Sequence, residues 1–396
     1  MAGPALLPVA DAQSRLLALA TPLPAETVPL AQAANRYAAA DITALRTQPI
    51  ADLSAMDGYA IRFADMPGPW TVIGESAAGR SFGGQVSPGQ AVRIFTGAHV
   101  PAGADTVLVQ EEASRDAAAL TLTGEGPAYE SRNIRRRGLD FAEGDTLIAA
   151  GDRLTPARLA LAGVAGHATL PVRRIPRIAI AATGDELVPP GADIGPDQLP
   201  ETNRLMLTAQ LADLQVEIVD LGILPDRADA LEAAFRAVDA DLLVTTGGAS
   251  VGDHDLVRPA LEAAGATIDF WRIALRPGKP MMAGRLGKAV ILGLPGNPVS
   301  AFVTAQLFVR PLAAYLAGAR NPFPQPRAAI LGEPLPANGE RTDYLRAELR
   351  DGAVSASTIQ DSSMLRTLAR ANCLILRAPH ALPANIGDSV EILGIA

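Results

Sequence analysis

The chain reads as a multidomain protein of the α/β plus β class, and three observations predict this. Between Arg177 and Leu316, apolar runs of strand length alternate with helix-length segments, which is the pattern of a mostly parallel sheet covered by helices on both faces, hence three layers. From Gln48 to Asp145, and again after Asn321, the texture changes to short apolar runs separated by glycine and proline, which predicts small β domains. A length of 396 residues exceeds one compact core, and 36 Gly with 32 Pro supply many turns.

Taken in order, residues 14–20 predict a short helix stopped by Thr21-Pro22-Leu23-Pro24, and residues 30–40 a second, alanine-rich helix. Residues 70–73, 91–95, 106–110 and 120–123 are the strand candidates of the first β region. Residues 154–162 predict a helix opening at Thr155-Pro156, and residues 171–176 a connector. Strands then fall at 178–182, 216–221, 241–246 and 289–293, with helices at 203–214, 228–238, 256–264 and 299–316. Asn321-Pro322-Phe323-Pro324-Gln325-Pro326 is a stiff linker to a final β module with strands at 372–377 and 389–393.

Composition narrows the function. Hydrophobic residues at 48% and charged residues at 19% are those of a soluble globular protein. A net charge of −8 and 4% aromatics argue against nonspecific nucleic-acid binding, anionic membranes and base-stacking platforms. No run of about 18 apolar residues predicts a membrane span. The first twenty residues are broken by Pro4, Pro8, Asp11 and Gln13, unlike a signal peptide. The lone Cys373 can form neither an internal disulfide nor a thiolate metal site, so a reducing, cytoplasmic setting is expected.

Three glycine-punctuated turns follow apolar runs: Thr183-Gly184-Asp185-Glu186-Leu187, Thr246-Gly247-Gly248-Ala249-Ser250-Val251-Gly252 and Leu294-Pro295-Gly296-Asn297-Pro298-Val299-Ser300. Such turns lie at the carboxyl edge of a parallel sheet, where main-chain N–H groups and helix N-termini gather an anion. Asp185, Glu186, Asp226, Ser250, Asp253 and Asp255 fall on the same edge. Carboxylates beside a phosphate repel it by about 4 kcal/mol per pair at 4 Å and an effective dielectric near 20. A hard cation such as Mg²⁺ turns that repulsion into bridging. The plainer reading of each acid is an N-cap or a solvated turn residue. Arg272, Arg276 and Lys279, stiffened by Pro277 and Pro280, have the make-up of an oxyanion clamp or of a basic surface loop. Arg132, Arg135, Arg136 and Arg137 read as a solvated charge run.

Two other chemistries fit poorly. Gly248-Ala249-Ser250-Val251-Gly252 has the spacing of a nucleophile elbow, but Asp253-His254-Asp255 separate it from the next helix, and His380 lies among prolines. Gly252 is followed by Asp253 instead of Lys, so a P-loop fails, and the four scattered histidines lack zinc-site pairing.

Together with Ser54-Ala55-Met56-Asp57-Gly58-Tyr59-Ala60, Arg93-Ile94-Phe95-Thr96-Gly97-Ala98 and Arg276-Pro277-Gly278-Lys279-Pro280, the three turns make the chain, from about Ala12 to its end, resemble the molybdopterin molybdenumtransferase (MoeA) family, related to the E domain of gephyrin. The resemblance implies an N-terminal helical segment (1–47 with 146–176), an inserted β domain (48–145), a three-layer α/β molybdopterin-binding domain (177–320) and a C-terminal β barrel (327–396). It implies insertion of molybdenum from molybdate into adenylylated molybdopterin, with release of AMP and with Mg²⁺ as cofactor. It also implies a homodimer whose active site is shared between subunits, with Asp57 and Thr96 reaching in from the partner copy, and other molybdenum-cofactor proteins as candidate partners.

Residue by residue, the resemblance assigns Asp57, Thr96, Asp140, Glu186, Asp226 and Asp255 to catalysis, the last three also to the metal. Gly184, Asp185, Asn203, Gly247, Gly248, Ser250, Gly252, Arg272, Arg276, Pro295, Gly296, Asn297 and Pro298 fall to substrate binding. Lys279, Pro280, Ser300, Arg346 and Ser362 fall to molybdate. Arg272 and Arg276 stand where the family often has lysine, and Glu201-Thr202 replace a familiar Asp-Ser before Asn203. Rival readings are the sister activity, adenylylation of molybdopterin by ATP, and a non-enzymatic scaffold. Molybdate and tungstate are not separable at this level.

Overall fold

The computed structural model describes residues 6–248 and 256–395, so the expected site residues Ser250, Gly252 and Asp255 lie outside the described residues. Two compact units make up the chain. The larger contains Met1–Ala40, Ala150–Thr155 and Pro171–Ala396, and the smaller Asp41–Ala149 and Pro156–Leu170.

The larger unit is organised by a six-stranded sheet in the order Glu217–Leu224, Arg177–Thr183, Leu242–Thr246, Ala289–Leu294, Pro280–Leu286, Thr267–Arg272. The first four strands are parallel and the last two antiparallel. Arg177–Thr183 is buried on both faces: Ile178 and Ile180 join one core layer, with Leu207, Val303 and Phe308, while Ala179 joins the other, with Leu231, Phe235 and Leu261. Helices Asn203–Leu211 and Pro298–Leu316 therefore cover one face, and Ala228–Arg236 and Val257–Ala263 the opposite one.

The antiparallel edge is a departure from the expected alternation. Pro280 and Gly284 punctuate the strand and hide it from pattern reading. Gly284 is required there, because a Cβ would lie 2.3 Å from the Thr267 carbonyl oxygen.

The helix Pro298–Leu316 is long and apolar enough to cross a membrane by length and composition alone, but 78% of its apolar window is buried inside the fold, as a core helix is. It widens into a π turn over Ala305–Val309. Pro311 brings no N–H to the ladder, and the Leu307 carbonyl instead accepts a 3.0 Å hydrogen bond from Gln13 Nε2. Gln13 sits on the N-terminal helix Val9–Ala18, which buries Ala12 and Leu16 in the same core layer. This helix starts directly after Pro8, ahead of the expected residue 14, with the Pro8 carbonyl accepting from Ala12 N–H at 3.0 Å.

The helix expected over 30–40 does not form. Only the 3₁₀ turn Leu30–Gln32 is helical, Asn35 is left-handed at φ 62°, and Ala38 N–H donates to Asp152 at 3.0 Å. Sheet-type pairing with residues 152–154 overrides the helical propensity of the alanines. Likewise the expected connector is partly the strand Thr169–Arg173, paired with Ala25–Pro29.

The C-terminal part of this unit closes into a barrel. Thr342–Arg350 pairs with Ala353–Ala356 and with Cys373–Arg377, and the circuit is completed through Arg327–Leu331 and Ser389–Gly394. Closure leaves no free edge among these five strands. The short strand Leu275–Arg276, from the connection between the two antiparallel strands of the α/β sheet, adds in parallel to Thr342–Asp343.

In the smaller unit, six strands run in the order Thr106–Val109, Gly58–Ile61, Gln90–Ile94, Trp70–Ser76, Ala119–Leu122, Ala113–Asp116. Alternation splits its core: Tyr59, Ile61, Trp70 and Leu108 pack on one face, and Ala60, Val92, Ile94 and Val107 on the other.

Candidate functional site

The carboxyl ends of the parallel strands open into a crevice of about 560 Å³. Its floor is the glycine turns: Thr183 and Glu186 after the first strand, Gly247 and Gly248 after the third, and Pro295, Gly296, Asn297 and Pro298 after the fourth. Gly247 is left-handed at φ 90°, and a Cβ on it would meet the Thr183 carbonyl oxygen at 2.6 Å, so two strand ends can converge only with glycine here. Asn203, first residue of its helix, donates from Nδ2 to the Gly296 carbonyl at 2.7 Å and ties the first and last turns together. Gly184, at φ 148°, brings the chain against the Glu186 carboxylate, 2.5 Å from where a Cβ would stand.

Beside the crevice, Asp226 N–H donates to Asp185 Oδ1 at 3.0 Å. Burial first, and then the charges of Asp185 and Glu186, push the Asp226 carboxyl above its ordinary range. Three carboxylates thus crowd one strand end with no cation beside them. Among the described residues, no group of three His, Cys, Asp or Glu side chains is arranged to hold a metal ion.

The remaining expected residues separate. Pro280 lines the crevice, but Lys279 and Arg276 line a second cavity of about 260 Å³ between the α/β layer and the barrel. Arg276, expected as a phosphate ligand, forms an ion pair with Asp343, whose side chain is 4% exposed. Arg272 ends an edge strand and lines neither cavity.

Arg346 is corrected more sharply. Its residue is 1% exposed, and its guanidinium donates to Gln360 Oε1, to the carbonyls of Ile359, Asp361 and Met364, and to Thr367 Oγ1. Burial lowers its pKa, partly offset by Asp361. In this state it holds the barrel segment 359–367 together and does not face an open cavity. Ser300 is also buried, at 4% exposure, and Ser362 accepts a 3.1 Å hydrogen bond on Oγ from Asn297 Nδ2.

In the smaller unit, Asp57 Oδ1 accepts from Thr96 N–H at 2.7 Å and from Thr96 Oγ1 at 2.8 Å. These bonds, the main-chain one foremost, hold the Asp57 carboxyl below its ordinary range. Asp140 is exposed, its N–H donating to Gln48 at 3.0 Å. The arginine run is locally engaged: Arg136 pairs with Asp52, and Arg132 stacks over Tyr129.

Sequence reasoning missed the far wall of the crevice. Leu187 and Leu199, from two short parallel strands, and Ser363 and Leu365, from the barrel, line it. Only the Asp361-Ser362-Ser363 turn carried a signal, an acid capping a serine: Ser363 N–H and Oγ both donate to Asp361 Oδ1, at 2.9 and 2.6 Å.

The same division of the chain appears in family models. Residues 7–166 match the MoeA N-terminal region (domain I and II), 179–315 a probable molybdopterin binding domain, and 328–395 the MoeA C-terminal region (domain IV). A molybdopterin molybdenumtransferase of Haemophilus influenzae is 37% identical over 398 residues, covering 98% of each chain. A protein of the same name from Bacillus subtilis is 31% identical over 402 residues, covering 98% of this chain and 94% of that one. The crystal structure of the molybdopterin biosynthesis MoeA protein of Pyrococcus horikoshii superposes with a TM-score of 0.84 at 27% identity, over 98% of this chain and 100% of that one. With every region matched in order and identity above 30% along nearly the whole length, the chain belongs to the MoeA family of molybdopterin molybdenumtransferases.

Proposed function

We propose that this chain transfers molybdenum from molybdate to adenylylated molybdopterin and releases AMP. The observation that carries the reading is the 560 Å³ crevice, in which glycine turns from three parallel strands meet Glu186 and Asn203. Main-chain N–H groups on those turns suit the phosphates, and glycine lets them approach closely. Asn203 keeps two of the turns in register through Gly296. The acids Asp185, Glu186 and Asp226 fit a Mg²⁺ that arrives with the phosphates and keeps its waters, since such ions use one or two carboxylates rather than a closed protein cage. When bound, that ion supplies charge neutralisation at the phosphates. The protein's own part is positioning: it holds the pterin's phosphate and the oxyanion in a fixed relation and orients a water for cleavage of the phosphoanhydride, with Glu186 as the acceptor of the water proton.

On the oxyanion side we assign Lys279, because Arg346 is committed within the barrel. Asp57, Thr96 and Asp140 are assigned to the site through a homodimer, in a cytoplasmic setting, with other cofactor-biosynthesis proteins as the recipients of product.

The test is Glu186→Gln. It should bind adenylylated molybdopterin as the wild type does and release AMP at least about a hundredfold more slowly, as loss of a general base does. Wild-type AMP release by this variant would refute the role. Wild-type protein that consumes ATP and plain molybdopterin, but not the adenylylated form with molybdate, would refute the activity.

A further inference from the structure

The cavity of about 260 Å³ beside the glycine crevice is lined by Arg276, Lys279, Asn338, Arg341 and Asp343, together with the exposed Glu340. We propose that Lys279, Arg341 and Arg276 form a seat for a doubly charged tetrahedral oxyanion, with Arg341 as a further binding residue. Its physiological ligand, molybdate, rests on the functional reading above; the seat itself does not.

Charge is the first argument. Asp343 is nearly buried and is matched by Arg276, whereas the side chains of Lys279 and Arg341 have no hydrogen-bond or ion-pair partner among the described residues. Two unmatched cations face one small cavity in a chain whose net charge is −8. A dianion balances both of them. Asp343 engages only one terminal nitrogen of Arg276, which leaves the rest of that fork able to donate.

Preorganisation is the second. The backbone of Arg276 is zipped in parallel to that of Asp343, and Thr342 N–H donates to the Ala274 carbonyl at 2.9 Å, which brings Arg341 beside the loop that bears Lys279. Asn338 then pins Arg341 from the other side: its Nδ2 donates to the carbonyls of Arg341, Arg377 and Ala378 at 2.8, 2.9 and 2.8 Å. The Lys279 carbonyl accepts from Ile273 N–H at 2.9 Å, closing the loop through Gly278 at φ 107°. All three cations therefore project from main chain that is already fixed, so binding orders side chains only.

Sequence motifs passed over Arg341 because a single Gly-Glu-Arg-Thr stretch carries no spacing signal. It is the fold that sets it beside Arg276.

The experiment is calorimetric titration of the full chain with sodium molybdate, and with sodium sulfate as a second tetrahedral dianion, in the absence of nucleotide and pterin. Wild type should bind both. Arg341→Gln should weaken binding about tenfold or more at unchanged Tm, as loss of a charge-assisted pair does, while Arg341→Lys should stay within about threefold. Arg370→Gln, which removes a barrel arginine paired with Glu348 elsewhere, should bind as wild type. If Arg341→Gln lowers Tm, Arg341→Met, which keeps the aliphatic stem, carries the same expectation. Wild-type protein that binds neither anion, or Arg341 variants that bind as wild type, would overturn the seat. Oxyanion binding through Arg341 by a chain that fails to transfer metal would support the seat and count against the functional reading alone.

Discussion

Asp226 shows how one side chain exposes the tension between stability and function. Burial and the charges of Asp185 and Glu186 raise its carboxyl above 3.8. The folded state then holds that proton more tightly than the unfolded chain does, so the favourable contribution is complete below about pH 3.8 and is lost as pH rises through the folded value. At neutral pH the ionised group is a net burden. Asp226→Asn should therefore raise Tm at pH 7, on the order of 1 °C for a mostly exposed site, and show no such gain at pH 3. Scanning calorimetry at the two pH values checks this. The same variant should lose metal transfer, because the crowding that destabilises the fold is what would attract a divalent ion.

At the level of elements, the helix Pro298–Leu316 is held together by a residue almost three hundred positions away. Gln13 supplies the hydrogen bond that Pro311 cannot, at the Leu307 carbonyl. Gln13→Leu should cost about 1 kcal/mol in urea unfolding, the usual worth of one such bond plus the carbonyl left without a donor. Gln13→Glu, which removes the donor and adds charge, should cost more. The helix itself was legible in sequence, because its apolar content and its Asn297-Pro298 start are local signals. Its π turn was not, since that depends on a partner from the chain's beginning. Parallel strands were legible for the same local reason, while Thr267–Arg272 and Pro280–Leu286 were obscured by the prolines and glycines that their edge position tolerates.

Across the whole molecule, the crevice floor could be read from three glycine turns, but its ceiling could not, because Ser363 and Leu365 arrive from the barrel. Arg346 explains why that distant segment is in place. Removing it would leave the Ile359, Asp361 and Met364 carbonyls without their donor and open a void among buried side chains. Arg346→Ala should cost about 3 kcal/mol, read by urea unfolding, and Arg346→Lys should recover only part, since a point charge cannot serve four directions at once. The resemblance of motifs placed Arg346 at the oxyanion. Its burial and its five partners show a guanidinium already saturated by its own fold.

The short strand Leu275–Arg276 belongs to the connection within one sheet and to the wall of another. Any hinge that swung the barrel aside would have to peel this shared main chain apart. The ceiling is therefore a fixed roof and not a lid, and traffic into the crevice has to pass along the glycine turns while the two layers stay locked.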